Sequence, residues 1–386
     1  MPGAVMSAEA LLARLVAFDT TSHKTNLPLV DFVREYLAGH GVACTLIPDA
    51  SGEKANLFAT IGPQGIAGVG LSGHTDVVPV AGQAWDTDPF TLSARDGRLH
   101  GRGACDMKGY LACVLAAVPD LVAAKLAVPI HIVFSYDEEV GCTGVRPMIA
   151  EFGRSLPKPR MVFVGEPTTM QVVDAHKGPV RWRVDLAGRA AHSSLAPLGV
   201  NTITHAGRLL GELDRIEQEL QALPPSPRFD PPWTTLQVTR IEAGTANNIV
   251  PNACWFGFEI RGLPGCDPRS IEQRLIAFAE RRCLPEMRAV APEAAITIAR
   301  TNEVPAFAAD PGSEVVTLAL KLTSSNETFA VSYATEASLF HVDGAPAVVC
   351  GPGDIAQAHT ANEWIAAAEL DKCMAFMRRL AAWASA

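Results

Sequence analysis

Apolar and polar positions change their period several times along the chain, and each change marks an element. In Ala8–Phe18 and Leu27–His40 the apolar residues recur every three to four positions, the spacing of an amphipathic helix, and the turn-forming Thr20-Thr-Ser-His-Lys-Thr25 separates the two. Four later runs, Gly68–Thr75, Pro129–Tyr136, Arg160–Val164 and Ala345–Cys350, have little internal polarity. Continuous apolar runs of this length between helical stretches predict strands of a sheet buried on both faces. Helical periodicity at Met107–Ala124, Val145–Phe152 and Asn362–Trp383 supplies the covering layers. The two ends of the chain thus predict a three-layer α/β domain with a mixed sheet.

The middle of the chain follows another order. From about Val180 it reads as strand (Arg181–Leu186), amphipathic helix (Asn201–Ala222), proline-rich loop (Pro224–Pro232), two strands (Thr234–Glu242 and Ala253–Arg261), helix (Pro268–Cys283) and strand (Ala295–Arg300). This β-α-β-β-α-β succession predicts a ferredoxin-like α+β domain. One discontinuous catalytic domain, residues 1–179 and 303–386, is therefore expected to carry an inserted domain at 180–302. The length of 386 residues agrees, because a single core stops growing at about 250–300 residues.

Composition narrows the function classes. A net charge of −9 argues against nucleic acid and for a small-molecule or peptide partner. No run reads as membrane-spanning, since Leu111–Val118 is broken by Pro119 and Asp120, and the N-terminal ten residues lack the basic and apolar regions of a secretory signal. The nine cysteines form no C-x-x-C pair, the usage of a reducing compartment, so a cytoplasmic protein is expected.

Chemistry-bearing residues gather where the apolar runs stop, which is where ligands bind in open α/β sheets. Asp137, Glu138 and Glu139 follow one strand. His74 and Asp76 end another, two apart and so on one face of extended chain. Asp106 lies in the first turn of the predicted helix that the loop Gly101-Arg-Gly-Ala-Cys-Asp106 opens, Glu166 ends a third strand, and His359 follows a glycine-rich loop. Taken singly, an acidic turn reads as a solvated loop and a histidine beside an aspartate as a structural pair. A phosphate-binding loop is disfavoured, because G-x-G-x-x-G would need glycine where Asp106 stands. Together the set offers imidazole and carboxylate ligands without a thiolate, which suits zinc and can accept cobalt or manganese. Cys105 and Cys142, though nearby, read as small packing residues. Carboxylates can crowd in this way when two cations neutralise them.

Six stretches carry a resemblance: Ser72-Gly-His-Thr-Asp-Val-Val-Pro79, Trp85-Asp-Thr-Asp-Pro-Phe90, Gly101-Arg-Gly-Ala-Cys-Asp-Met-Lys-Gly109, Asp137-Glu-Glu139, Gly165-Glu-Pro-Thr168 and His359. In this order they resemble the M20 family of di-zinc amidohydrolases and peptidases. Within it, Ser135–Cys142, Tyr333-Ala-Thr-Glu-Ala337 and Gly351–His359 are most similar to the bacterial acetylornithine deacetylases. The resemblance implies that His74, Asp106 and Glu166 hold one metal ion and Asp106, Glu139 and His359 the other. It makes Glu138 the general base and Asp76 the partner of His74. It also implies a homodimer, with His192 reaching an active site in its own or a neighbouring subunit, and Asn248 and Arg261 as substrate contacts. By position alone His192 and Asn248 read as turn residues and Arg261 as an ion-pair partner. Glu336 stands where the family has an acid near the pocket. The implied reaction is removal of the acyl group from a small N-acyl amino acid, N2-acetylornithine before all; a succinyl-diaminopimelate desuccinylase, an aminoacylase, a dipeptidase and a non-catalytic binder of the same fold are the alternatives.

Overall fold

The computed structural model describes residues 5–386; the first four, part of the N-terminal stretch read above for a secretory signal, lie outside the described residues. The chain forms two compact units. The first takes the chain up to Ala175 together with Ala308–Phe329 and Thr335–Ala386, and the second takes His176–Phe307 with Ala330–Ala334.

In the first unit six strands of a nine-stranded sheet run in the order Cys44–Pro48, Ala55–Ile61, Ile130–Ser135, Val69–His74, Met161–Pro167, Ala347–Gly351. The last four strands are parallel, while the first two pair antiparallel, so the sheet is mixed as predicted. Every residue of those four parallel strands is buried, which explains their unbroken apolar runs. Registers place Phe58, Val133, Ser72 and Val164 on one face and Leu71 and Phe163 on the other. On the Phe163 side, Phe376 of the helix Ala367–Ala384 meets that ring edge-on, beside the packed helices Ala8–Val16 and Gly109–Ala123. On the Phe58 side, Phe152 and Phe340 cover the sheet. These are the three predicted layers.

Two predicted helix starts are corrected. The helix expected from Asn362 begins at Ala367, because Trp364–Ala366 forms a strand against Arg98–His100 and buries Ile365 completely. A three-residue apolar run fits either period, and its partner lies far away in the chain. The helix expected from Met107 begins at Gly109. Ala104–Lys108 is a wide turn in which Asp106 has φ −120 and ψ 96, outside helical values, so Asp106 precedes the helix rather than sitting in its first turn.

The second unit is the predicted ferredoxin-like fold. Its strands run in the order Thr235–Ala243, Ala253–Gly262, Gly178–Ala187, Ala295–Glu303, all neighbours antiparallel. Ala253–Gly262 alternates strictly, with Cys254, Phe256, Phe258 and Ile260 buried among Leu209 and Leu213 of the helix Thr202–Gln221 and Leu275 of Pro268–Phe278. Trp255, Glu259 and Arg261 consequently point to the opposite face. The helix predicted to Cys283 ends at Phe278 and passes through a wider turn into Leu284–Val290. Among the described residues no helix is long and apolar enough to cross a membrane.

Candidate metal centre

Because the four central strands are parallel, their carboxyl ends share one edge of the sheet. Val69–His74 brings His74 there as its last residue, Met161–Pro167 brings Glu166, and the turn after Ile130–Ser135 brings Glu138 and Glu139. The loop after Ala347–Gly351 returns His359, and the turn Ala104–Lys108 adds Asp106.

Asp106 stands between the two histidines. Its Oδ1 is 3.0 Å from His74 Nε2, and its Oδ2 is 3.1 Å from His359 Nε2. Glu166 Oε1 lies 3.8 Å from His74 Nε2, and Glu139 Oε1 lies 3.1 Å from His359 Nε2. Ligand atoms of His74, Asp106 and Glu139 fall within 4.8 Å of one another, and so do those of His74, Glu138 and Glu166. His74 is oriented from behind: Nδ1 is 2.9 Å from the main-chain carbonyl of Asp76, to which it donates, which turns Nε2, the atom that meets Asp106 Oδ1 and would ligate an ion, toward the carboxylates.

Asp76 does more than its sequence position implied. Its carboxylate is 3.5 Å from His74 Nδ1, farther than its own carbonyl, and is occupied mainly elsewhere. It accepts from Ser22 Oγ at 2.8 Å and from the backbone N–H of Glu138 and Glu139 at 3.1 and 3.3 Å. Asp76 thereby shapes the acidic turn as well as buttressing the imidazole. Asp137 turns away with φ 53 and pairs with Lys54 Nζ at 2.5 Å.

The electrostatics are those of a cation site. Burial pushes Glu138 and Glu166 well above the usual carboxylate range, with Glu139 and Asp106 adding repulsion, and lifts Glu139 to about 7. Asp106 is held low: burial works against it, but His359 and His74 hydrogen bonds prevail. Burial opposes a charge on His74 too, yet Glu166, Asp106 and Asp76 raise it well above the ordinary value. Buried like charges without compensation are costly. Two divalent cations would supply that compensation, and the imidazole and carboxylate ligands of His74, Asp106, Glu139, Glu166 and His359 fit such ions.

Two further acids complete the surroundings. Glu336 is 1% exposed behind Ser72, whose Oγ is 3.5 Å from Glu336 Oε2, and burial lifts its carboxyl to about 7. Glu363 was missed by sequence reasoning, since it lay inside a predicted helix. Its Oε1 accepts from the backbone N–H of Cys105 and Asp106. Cys142 packs as predicted but also donates its thiol to Glu138 Oε1 at 3.2 Å, and burial keeps that thiol protonated. Cys105 is a buried neutral thiol.

The remaining candidates belong to the second unit. His192 Nδ1 accepts from Ser194 N–H at 3.2 Å, so the neutral ring carries its proton on Nε2. The adjoining Ser193 N–H donates to Asn248 O at 2.9 Å, which sets these two loops side by side. Arg261 donates through Nε to Glu259 Oε1 at 3.0 Å, the ion pair that its position alone allowed.

Comparison with known proteins gives the family and the fold. The model of peptidase family M20/M25/M40 matches residues 70–383. An acetylornithine deacetylase of Myxococcus xanthus is 38% identical over 99% of this chain and 98% of its own, and one of Proteus mirabilis is 30% identical over 94% and 92%. A tripeptidase from Staphylococcus aureus has a TM-score of 0.74 at 18% identity, covering 100% of both chains. A metallo-carboxypeptidase from Sulfolobus solfataricus has 0.74 at 19%, covering 98% of this chain and 100% of that one. At such identities these two structures establish the shared fold. By the extent of these matches the chain is a member of peptidase family M20/M25/M40, a metallohydrolase.

Proposed function

We propose that the protein is a two-zinc amidohydrolase that deacylates N-acyl amino acids, with N2-acetylornithine cleaved to ornithine and acetate. Support for the substrate comes from the full-length acetylornithine deacetylases at 30–38% identity. One observation carries the two-ion reading: the oxygens of Asp106 diverge toward His74 and His359 at 3.0 and 3.1 Å. His74, Asp106 and Glu166 would hold one ion, and Asp106, Glu139 and His359 the other. When bound, the pair would supply Lewis acidity and lower the pKa of water toward about 7.

Glu138 takes the proton of the attacking water on a carboxylate oxygen and delivers it to the leaving amine nitrogen. Such general acid–base work contributes about 10²–10⁴ in rate. Cys142 holds Glu138 through its thiol. His192, with its Nε2–H free to donate, stabilises the oxyanion that develops on the carbonyl. Arg261 and Asn248 grip the substrate carboxylate, Arg261 exchanging its pairing with Glu259 for the planar match of guanidinium and carboxylate. A homodimer and a cytoplasmic location complete the reading.

The test is kcat/KM on a panel of acetylated, succinylated and dipeptide substrates, with metal content measured on the same samples. Preference for N2-acetylornithine supports the assignment; preference for a succinylated diamine or a dipeptide replaces it, and metal binding without turnover of any of them makes the protein a binder.

A further inference from the structure

Neither Asp106 nor His359 is held by regular structure. Asp106 sits in a turn with non-helical dihedrals. His359 lies in a loop at φ 60, and its side chain is 50% exposed. Packing alone does not fix an imidazole so placed, and both groups must be held closely if one carboxylate is to serve two ions.

A line of hydrogen bonds connects their backbones. Glu363, fully buried, accepts through Oε1 from Cys105 N at 2.9 Å and Asp106 N at 3.1 Å, and through Oε2 from Arg102 Nη1 at 2.6 Å. Arg102, equally buried, donates its other arm to Gln83 Oε1 and lies 5.2 Å from the Trp85 ring centroid. Trp85 Nε1 donates to the same Gln83 oxygen at 3.2 Å. With its oxygen so engaged, the Gln83 amide presents Nε2 to the His359 carbonyl at 2.9 Å. The line starts at the backbone of one histidine ligand candidate and ends at that of the carboxylate between the two.

A buried ion pair such as Arg102–Glu363 is weak evidence of stabilisation, because desolvation offsets the attraction. Here Arg102 Nη2 and Glu363 Oε1 reach beyond the pair and place other groups. We propose that Glu363, Arg102 and Gln83 form a positioning relay that holds Asp106 and His359 in mutual register for metal binding. The proposal rests on the two-ion reading above. It assigns separable roles: Gln83, which also accepts from Arg102, is the member that reaches the His359 carbonyl and so bears first on the ion of Asp106, Glu139 and His359, whereas Glu363 holds the Asp106 backbone directly and bears on both ions.

The experiment titrates Co2+ into metal-stripped full-length protein, following each binding step by calorimetry and by visible absorption. It compares wild type, Gln83→Ala and the double variant Arg102→Met with Glu363→Gln, which leaves no buried charge unpaired. Two steps are expected for wild type. Gln83→Ala should weaken one step about 10–100-fold, as loss of an outer hydrogen-bond partner typically does, and weaken the other clearly less. The double variant should weaken both, with circular dichroism reporting a folded chain; if it does not fold, Gln83→Ala decides alone. Two wild-type steps with Gln83→Ala unchanged, or with both of its steps weakened equally, overturn the relay and leave the two-ion reading standing. No Co2+ bound by wild type overturns both.

Discussion

Replacing Glu336 with glutamine tests the electrostatics at the rear of the site. The carboxyl is 1% exposed, and burial raises it from its ordinary 4.5 to about 7. At about 1.4 kcal/mol per pKa unit, holding this group ionised costs the fold about 3 kcal/mol. The raised value means that the folded state binds the proton more tightly than the unfolded one. The penalty is therefore absent below about pH 4.5, grows as pH rises, and is complete above about pH 7. Glutamine keeps the shape and a polar atom toward Ser72 but cannot ionise. Urea denaturation of metal-stripped wild type and Glu336→Gln at pH 5 and pH 8 reads the difference between the two proteins at each pH. Shape effects of the substitution cancel between the two pH values. The variant should gain about 2–3 kcal/mol relative to wild type on going from pH 5 to pH 8. An equal difference at both pH values would refute the reasoning and show that Glu336 is ionised at little cost.

Other expectations concern the base and the backbone beneath the site. Glu138→Ala should retain about two ions per chain, measured by elemental analysis, and lose about 10²–10⁴ in kcat; loss of both properties together would make Glu138 a ligand. Gly165→Ala should destabilise the fold by about 1–3 kcal/mol or more in thermal unfolding, because a Cβ there would lie 2.1 Å from the Tyr110 ring. An unchanged transition temperature would show that the ring can move aside.

How much of this was legible depended on the range of the contact involved. The buried parallel strands announce themselves as unbroken apolar runs, and the alternation in Ala253–Gly262 marks the second sheet equally well. Since parallel strands end on one edge, polar residues just beyond them point to a shared site, and His74, Glu139, Glu166 and His359 do converge with Asp106. The doubled task of Asp76 was not legible. Its bonds to Ser22 and to the turn at Glu138 join segments more than fifty residues apart. Glu363 was hidden because Trp364–Ala366 has no periodicity of its own and takes strand form only by pairing with Arg98–His100. Exposed residues such as His192 and Asn248 carry no pattern that packing imposes, and only family likeness singled them out.

The account depends on one carboxylate serving two cations, and metal content of an Asp106→Ala variant probes this most directly. Wild type should hold about two transition ions per chain after metal-supplemented purification and dialysis, and the variant close to none, with the fold intact by circular dichroism. A folded Asp106→Ala protein that still holds two ions would contradict the shared-carboxylate centre.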